Sequence, residues 1–268
     1  MNASTYDRHC SEIVAQTDLL RSLVRGAAQL RTPVPSCPGW NVGQLLRHLG
    51  GAHRWVEEVV RTGTERPPPD GHFRDLSPYA DEDPAVLDGW LGEGAALLAE
   101  TLRTAGPSAE AWVPLPQLGP AAAFFARRMA NETAVHRADA FLAEGAPFTL
   151  GEETAADCFG EWLELVAQPQ TLDHRPELRE LLGHPGRTLR FRASGTAPGT
   201  AADWLVDLTG AAISWRHAPR EEAAVTVSGP LTDLLLVLYR RLPARSPGMV
   251  IGGDAELLDS WLERVSFG

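Results

Sequence analysis

The chain has 268 residues, 44% hydrophobic and 22% charged, and a net charge of -11 in which every one of the 24 positive residues is an arginine. The size exceeds what one core usually serves and predicts two domains. The acidic balance argues against nucleic-acid partners, which need a dense basic surface. No apolar run approaches the roughly 18 to 20 residues of a spanning helix, and the start Met1-Asn2-Ala3-Ser4-Thr5 lacks a signal-peptide pattern, so a cytoplasmic protein without a membrane partner is expected.

The first half reads as helices. Ile13, Val14, Leu20 and Val24 recur at helical spacing between about Thr5 and Leu30, until Thr32-Pro33-Val34-Pro35 ends the pattern. Asn41 with Gln44 three residues on makes a capping-box variant for a second helix with the stripe Leu45, Leu49, Ala52, Val56 and Val59, fraying near Gly63. Pro84 opens a third helix carrying Val86, Trp90, Leu97 and Leu98; Pro120 opens a fourth carrying Phe124, Phe125, Met129, Val135 and Phe141. Two fairly long connections suggest a four-helix bundle with crossovers.

A composition shift at Gly145-Ala146-Pro147 places the boundary between residues 1–148 and 149–268. Thr149 with Glu152 reads as a capping box for one more helix through Trp162 and Val166. Past Pro185 the period becomes two in Thr188–Ala193, Trp204–Leu208 and Ala224–Ser228, with Ile213-Ser214-Trp215 between, which predicts an antiparallel meander. Helices from Pro230 to about Arg241 and from Ala255 to Val265 complete an α+β second domain, with Gly252-Gly253-Asp254 as a turn and N-cap and Trp204, Trp215 and Trp261 in its core.

The chemistry-bearing pattern lies on the fourth helix. Residues four apart differ by about 40° in direction, so Glu132 and His136 project side by side, and Asp139 joins them on a face shared with Phe125 and Met129. Burying such groups unpaired costs roughly several kcal/mol. A metal ion removes that cost. On the second helix His48 falls within the apolar stripe, and His48, Glu132 and His136 together form a three-ligand set of the kind that leaves catalytic zinc an open position. Asp139 is placed to accept the second N–H of His136. Spacing alone leaves a second reading open, in which each histidine is an ordinary core or surface residue.

The segment Ser36-Cys37-Pro38-Gly39-Trp40-Asn41 leading to His48, and the run Glu132-Thr133-Ala134-Val135-His136-Arg137-Ala138-Asp139, resemble the two motifs of the mycothiol-dependent maleylpyruvate isomerase family, within the DinB-like metalloprotein superfamily. The resemblance implies an N-terminal DinB-like metal-binding bundle and a smaller sterol-carrier-protein-like α+β domain. It carries the zinc-ligand role onto His48, Glu132 and His136. It also implies mycothiol as the thiol cofactor and a small electrophilic substrate. Zinc then favours the thiolate, which adds to an electrophilic carbon. In an isomerase the adduct rotates and eliminates, regenerating the thiol; in an S-transferase it is kept. A non-catalytic metal-containing protein with an apolar ligand or partner in its second domain is the alternative of a different class, and a zinc hydrolase a weaker third. Oligomeric state is left open.

Of the remaining polar residues, Arg47, Arg54, Arg127, Arg128 and Arg137 are read mainly as solvated, and His53 as a histidine on the bundle surface. Arg216, at the end of a strand, is the catalytic candidate for meeting a substrate carboxylate. Trp40 is expected at the bundle's edge. Cys10, Cys37 and Cys158 form no spaced pair, so no disulfide is expected, and no His and acid are evident around Cys37, which reads as a turn residue.

Overall fold

The computed structural model describes residues 2–25, 29–218 and 221–265. It divides into two compact units, Met1–Phe148 and Thr149–Gly268.

The first unit contains α1 (Ala3–Arg25), α2 (Val42–Thr62), the single turn α3 (Gly71–Arg74), α4 (Pro84–Ala105) and α5 (Ala121–Ala143). The expected extension of the first helix to Leu30 crosses residues 26–28, which lie outside the described residues. Helix α2 starts where its capping box requires: Asn41 accepts from Gln44 N, and the Gln44 side chain accepts from Asn41 N. It ends at Gly63, whose φ of 59° suits a residue without a Cβ. Both α1 and α2 pack mainly on α4 and α5, so the consecutive pair α1 and α2 sits diagonally, as crossover connections demand.

The core runs through Leu45, Leu49, Val56 and Val59 of α2, Leu87, Leu91, Leu98 and Leu102 of α4, and Phe125 and Met129 of α5. On α4 the expected stripe is off by one position at two places. Val86 and Leu97 face solvent, because Leu87, Leu91 and Leu98 share one side of the helix and take the core.

The second unit holds α6 (Glu152–Val166), α7 (Pro169–His174), β1 (Thr188–Ser194), β2 (Asp203–Asp207), β3 (Ser214–His217), β4 (Val225–Pro230), α8 (Leu231–Leu238), β5 (Val250–Gly253) and α9 (Ala255–Arg264). The expected Thr149 to Glu152 capping box does not form. Gly151 is the N-cap of α6, and the Glu152 carboxylate instead accepts from Ala197 N and Thr200 Oγ1.

The sheet order is β3-β2-β1-β4-β5. It is mixed rather than the expected antiparallel meander: β4 pairs parallel with β1, and β5 adds an antiparallel edge. Register aligns Val206, Leu189 and Val225 in one row and Trp204, Phe191 and Val227 in the next. These six residues are buried, and Phe159 of α6 stacks on Trp204 with ring centroids 4.1 Å apart. Trp261 is fully enclosed near Trp162, whereas Trp215 on edge strand β3 is only half-buried and is not a core residue as expected.

Among the described residues no helix is long and apolar enough to cross a membrane.

Candidate metal centre

Helices α2 and α5 pack together and bring three side chains to one point. His48, Glu132 and His136 each offer a ligand atom, all within 4.8 Å of one another. Glu132 Oε1 lies 3.0 Å from His136 Nε2 and 3.9 Å from His48 Nε2. The two imidazoles meet edge to face with centroids 5.3 Å apart. Side-chain exposures of 12% for His48, 22% for Glu132 and 11% for His136 leave the cluster nearly enclosed but open on the carboxylate side.

The other ring edge of each histidine is held. His48 Nδ1–H donates to the carbonyl of Phe73 at 2.8 Å, and His136 Nδ1–H donates to Asp139 Oδ2 at 2.9 Å. Each Nε2 is thereby directed at Glu132. This is the arrangement of metal-binding histidines, whose second nitrogen is fixed by a carbonyl or carboxylate. A donor set of two imidazoles and one carboxylate suits zinc or a similar borderline divalent ion. Arg128, one turn before Glu132, pairs with the second carboxylate oxygen.

Charge is concentrated here. Burial acts to raise the Glu132 pKa, but the Arg128 guanidinium, the hydrogen bond from His136 and the nearby His48 ring prevail and hold it well below the usual carboxylate range. Burial acts to lower the His136 pKa, and its hydrogen bond with Asp139, the adjacent Cys37 thiol and its hydrogen bond with Glu132 outweigh that and raise it well above the ordinary value. A cation at His136 Nε2 would replace the proton that this nitrogen donates to Glu132.

Several surrounding residues differ from their sequence reading. His53 is not on the surface: it is fully buried, its Nε2–H donating at 2.9 Å to Thr133 Oγ1, which in turn donates to the Met129 carbonyl. The hydroxyl of Thr133 on α5 gives the inward imidazole a partner, and burial with Arg54 nearby pushes the His53 pKa down to about 3. Cys37 does have a His and an acid beside it, because the loop before α2 folds onto α5: its Sγ lies 3.6 Å from Asp139 Oδ2, in a cluster that includes His136. Trp40 packs on the His48 ring at 4.9 Å between centroids.

The arginines are also less solvated than expected. Arg47 forks onto Glu82 and lies over the Trp90 ring at 4.0 Å, with Arg54 over the same indole at 4.1 Å. Arg137 is buried over Phe148, and burial pulls its pKa down to about 10. Aromatic faces take the place of water around these guanidiniums. Arg216 sits on β3 in the second unit, where its Nε donates to Glu221 at 3.2 Å and its Nη1 is 3.8 Å from Asp207.

Residues 10–141 match the mycothiol maleylpyruvate isomerase N-terminal domain, and residues 153–260 match the C-terminal domain of the same family. Among curated proteins none matches the sequence. Solved structures that share the fold include the mycothiol-dependent maleylpyruvate isomerase, at 16% identity, and a histidine-to-alanine variant of it, at 15%, each with a TM-score of 0.58 and 92% of both chains covered. With both domain matches in order along the chain, the protein belongs to the mycothiol-dependent maleylpyruvate isomerase family, a family of enzymes.

Proposed function

We propose that the protein is a zinc-dependent isomerase that uses mycothiol, with His48, Glu132 and His136 holding the metal. The observation that carries this reading is the convergence of two Nε2 atoms and one carboxylate oxygen on a point, with both Nδ1 atoms committed to Phe73 O and Asp139. A zinc ion bound there would supply an open Lewis-acid position that favours the thiolate form of an incoming thiol. The thiol provides a nucleophile for reversible addition to an electrophilic double bond, and its regeneration distinguishes isomerisation from S-transfer.

The chain's own residues do the rest. Glu132 would offer the metal the oxygen that faces His136, while its other oxygen is paired with Arg128. Asp139 fixes the His136 ring and the Phe73 carbonyl fixes His48, so little reorganisation is needed on loading. Trp40 and Phe73 flank the His48 ring and restrict water on that side. Arg216 is assigned to the substrate carboxylate, a role in which it must exchange its Glu221 partner for substrate.

Cobalt substitution tests the metal and the thiol together. The cobalt-loaded protein should show an absorption change on adding a low-molecular-weight thiol, and a His48→Ala, His136→Ala variant should bind no stoichiometric metal. Full metal content in that variant would remove the assignment. Lipid binding by the second domain together with a thiol-insensitive cobalt spectrum would favour the non-catalytic alternative.

A further inference from the structure

The loop that leads into α2 is a fastened hairpin. Val34 N donates to Trp40 O at 2.9 Å, Cys37 N to Val34 O at 3.0 Å, Trp40 N to Cys37 O at 3.1 Å and Val42 N to Thr32 O at 2.9 Å. Pro33 and Asn41 form an antiparallel bridge across it, and Gly39 makes the tight turn with a φ of +87°. These backbone bonds fasten the turn and fix the starting points of the side chains mounted on it.

Three of those side chains reach the metal centre. Ser36 Oγ donates to Asp139 Oδ1 at 2.6 Å, and Cys37 Sγ donates to Asp139 Oδ2 at 3.6 Å. Trp40 lies on the His48 ring. Asp139 is 0% exposed, so its orientation is set by protein donors and not by water. Hairpin donors on both oxygens, Ser36 on Oδ1 and Cys37 on Oδ2, fix the plane of the carboxylate, and that plane aims Oδ2 at His136 Nδ1.

We propose that Ser36 and Cys37 are positioning residues of the metal centre, and that the 33–41 hairpin is a clamp seating both ligand histidines: His136 through Asp139, and His48 through Trp40. The inference rests on the metal-centre reading. Without Ser36 the Oδ1 atom loses a donor in a site closed to water, the carboxylate turns to find another, and the His136 ring follows. Cys37 acts here as a hydrogen-bond donor, a role serine can fill.

The test is a set of zinc affinities measured by competition with a chromophoric chelator, with cobalt spectra of the same proteins. Ser36→Ala/Cys37→Ala should weaken zinc binding about 10- to 100-fold, as outer-partner changes do, and shift the cobalt bands, while stoichiometry at saturation stays the same. Cys37→Ser should remain close to wild type. In an Asp139→Asn background, Ser36→Ala should add little, because both changes cut one chain of bonds. Circular dichroism of the metal-free proteins reports the fold; if the double variant does not fold, Ser36→Ala and Cys37→Ala carry the test singly. Wild-type affinity in the alanine variants, or fully additive losses from Ser36→Ala and Asp139→Asn, would overturn the clamp while zinc bound by wild type and lost in His136→Ala left the metal reading standing. A wild-type protein without zinc affinity would remove both.

Discussion

His136 stands between two carboxylates, its Nδ1 2.9 Å from Asp139 Oδ2 and its Nε2 3.0 Å from Glu132 Oε1. The two have different surroundings. Asp139 is sealed and receives donors from Ser36 and Cys37, whereas Glu132 is partly open and shared with Arg128. In the proposed metal site this asymmetry suits Asp139 to orientation and Glu132 to coordination. Asp139→Asn should therefore keep the fold and weaken zinc affinity about 10- to 100-fold. An unchanged affinity in a chelator competition would reduce Asp139 to a packing residue.

The low-molecular-weight thiol, not a protein cysteine, should be the nucleophile. Cys10 and Cys158 are fully buried, with the Cys10 thiol pushed up to about 11, chiefly by burial, and Cys37 is engaged with Asp139. A Cys10→Ala, Cys37→Ser, Cys158→Ala variant should keep zinc and thiol-dependent turnover. It should lose about 1 kcal/mol of stability at each alanine, the scale of one buried methylene. Loss of turnover in a folded, zinc-loaded variant would return the role to Cys37.

His53 predicts an acid sensitivity. Its folded pKa of about 3 lies below the ordinary 6.5, so between these values the unfolded chain binds the extra proton and acid favours unfolding. Its contribution to stability is fully present above about pH 6.5 and declines by about 1.4 kcal/mol per pH unit as the pH falls toward 3. Denaturant titrations of wild type and His53→Gln at several pH values check this. The variant should show a shallower decline across that window, and parallel curves would count against the buried neutral imidazole.

Arg216→Ala should reduce kcat/KM for a carboxylate substrate while leaving zinc content unchanged, because the residue belongs to the second unit and its partners there are Glu221 and Asp207. Arg216→Lys should recover only part of the loss, since an ammonium lacks the bidentate fork. Wild-type kinetics in Arg216→Ala would limit the residue to its surface ion pairs.

The helical half was the more legible in sequence. Asn41 and Gln44 announce a cap by their spacing, and the four-residue step from Glu132 to His136 puts both on one helix face without further knowledge. The partners that complete the centre left weaker traces. Phe73 contributes a backbone carbonyl, which no residue type signals, and the Ser36 and Cys37 contacts join positions about a hundred apart through a loop whose path periodicity does not encode. In the sheet, alternation marks β1, β2 and β4 as strands but says nothing of pairing order, so the parallel β1 and β4 contact was not readable. Strand β5 was read as a turn because Gly252 and Gly253 have low strand propensity; β4 supplies the pairing that holds them extended.

The most direct measurement is conversion of maleylpyruvate to fumarylpyruvate by the purified protein in four conditions: zinc-loaded or chelator-stripped, each with and without mycothiol. The account predicts turnover only with zinc and mycothiol together, with the thiol recovered unconsumed and activity restored to the stripped protein by added zinc. Equal turnover by the stripped protein in the presence of mycothiol, or by the zinc-loaded protein in its absence, would contradict it.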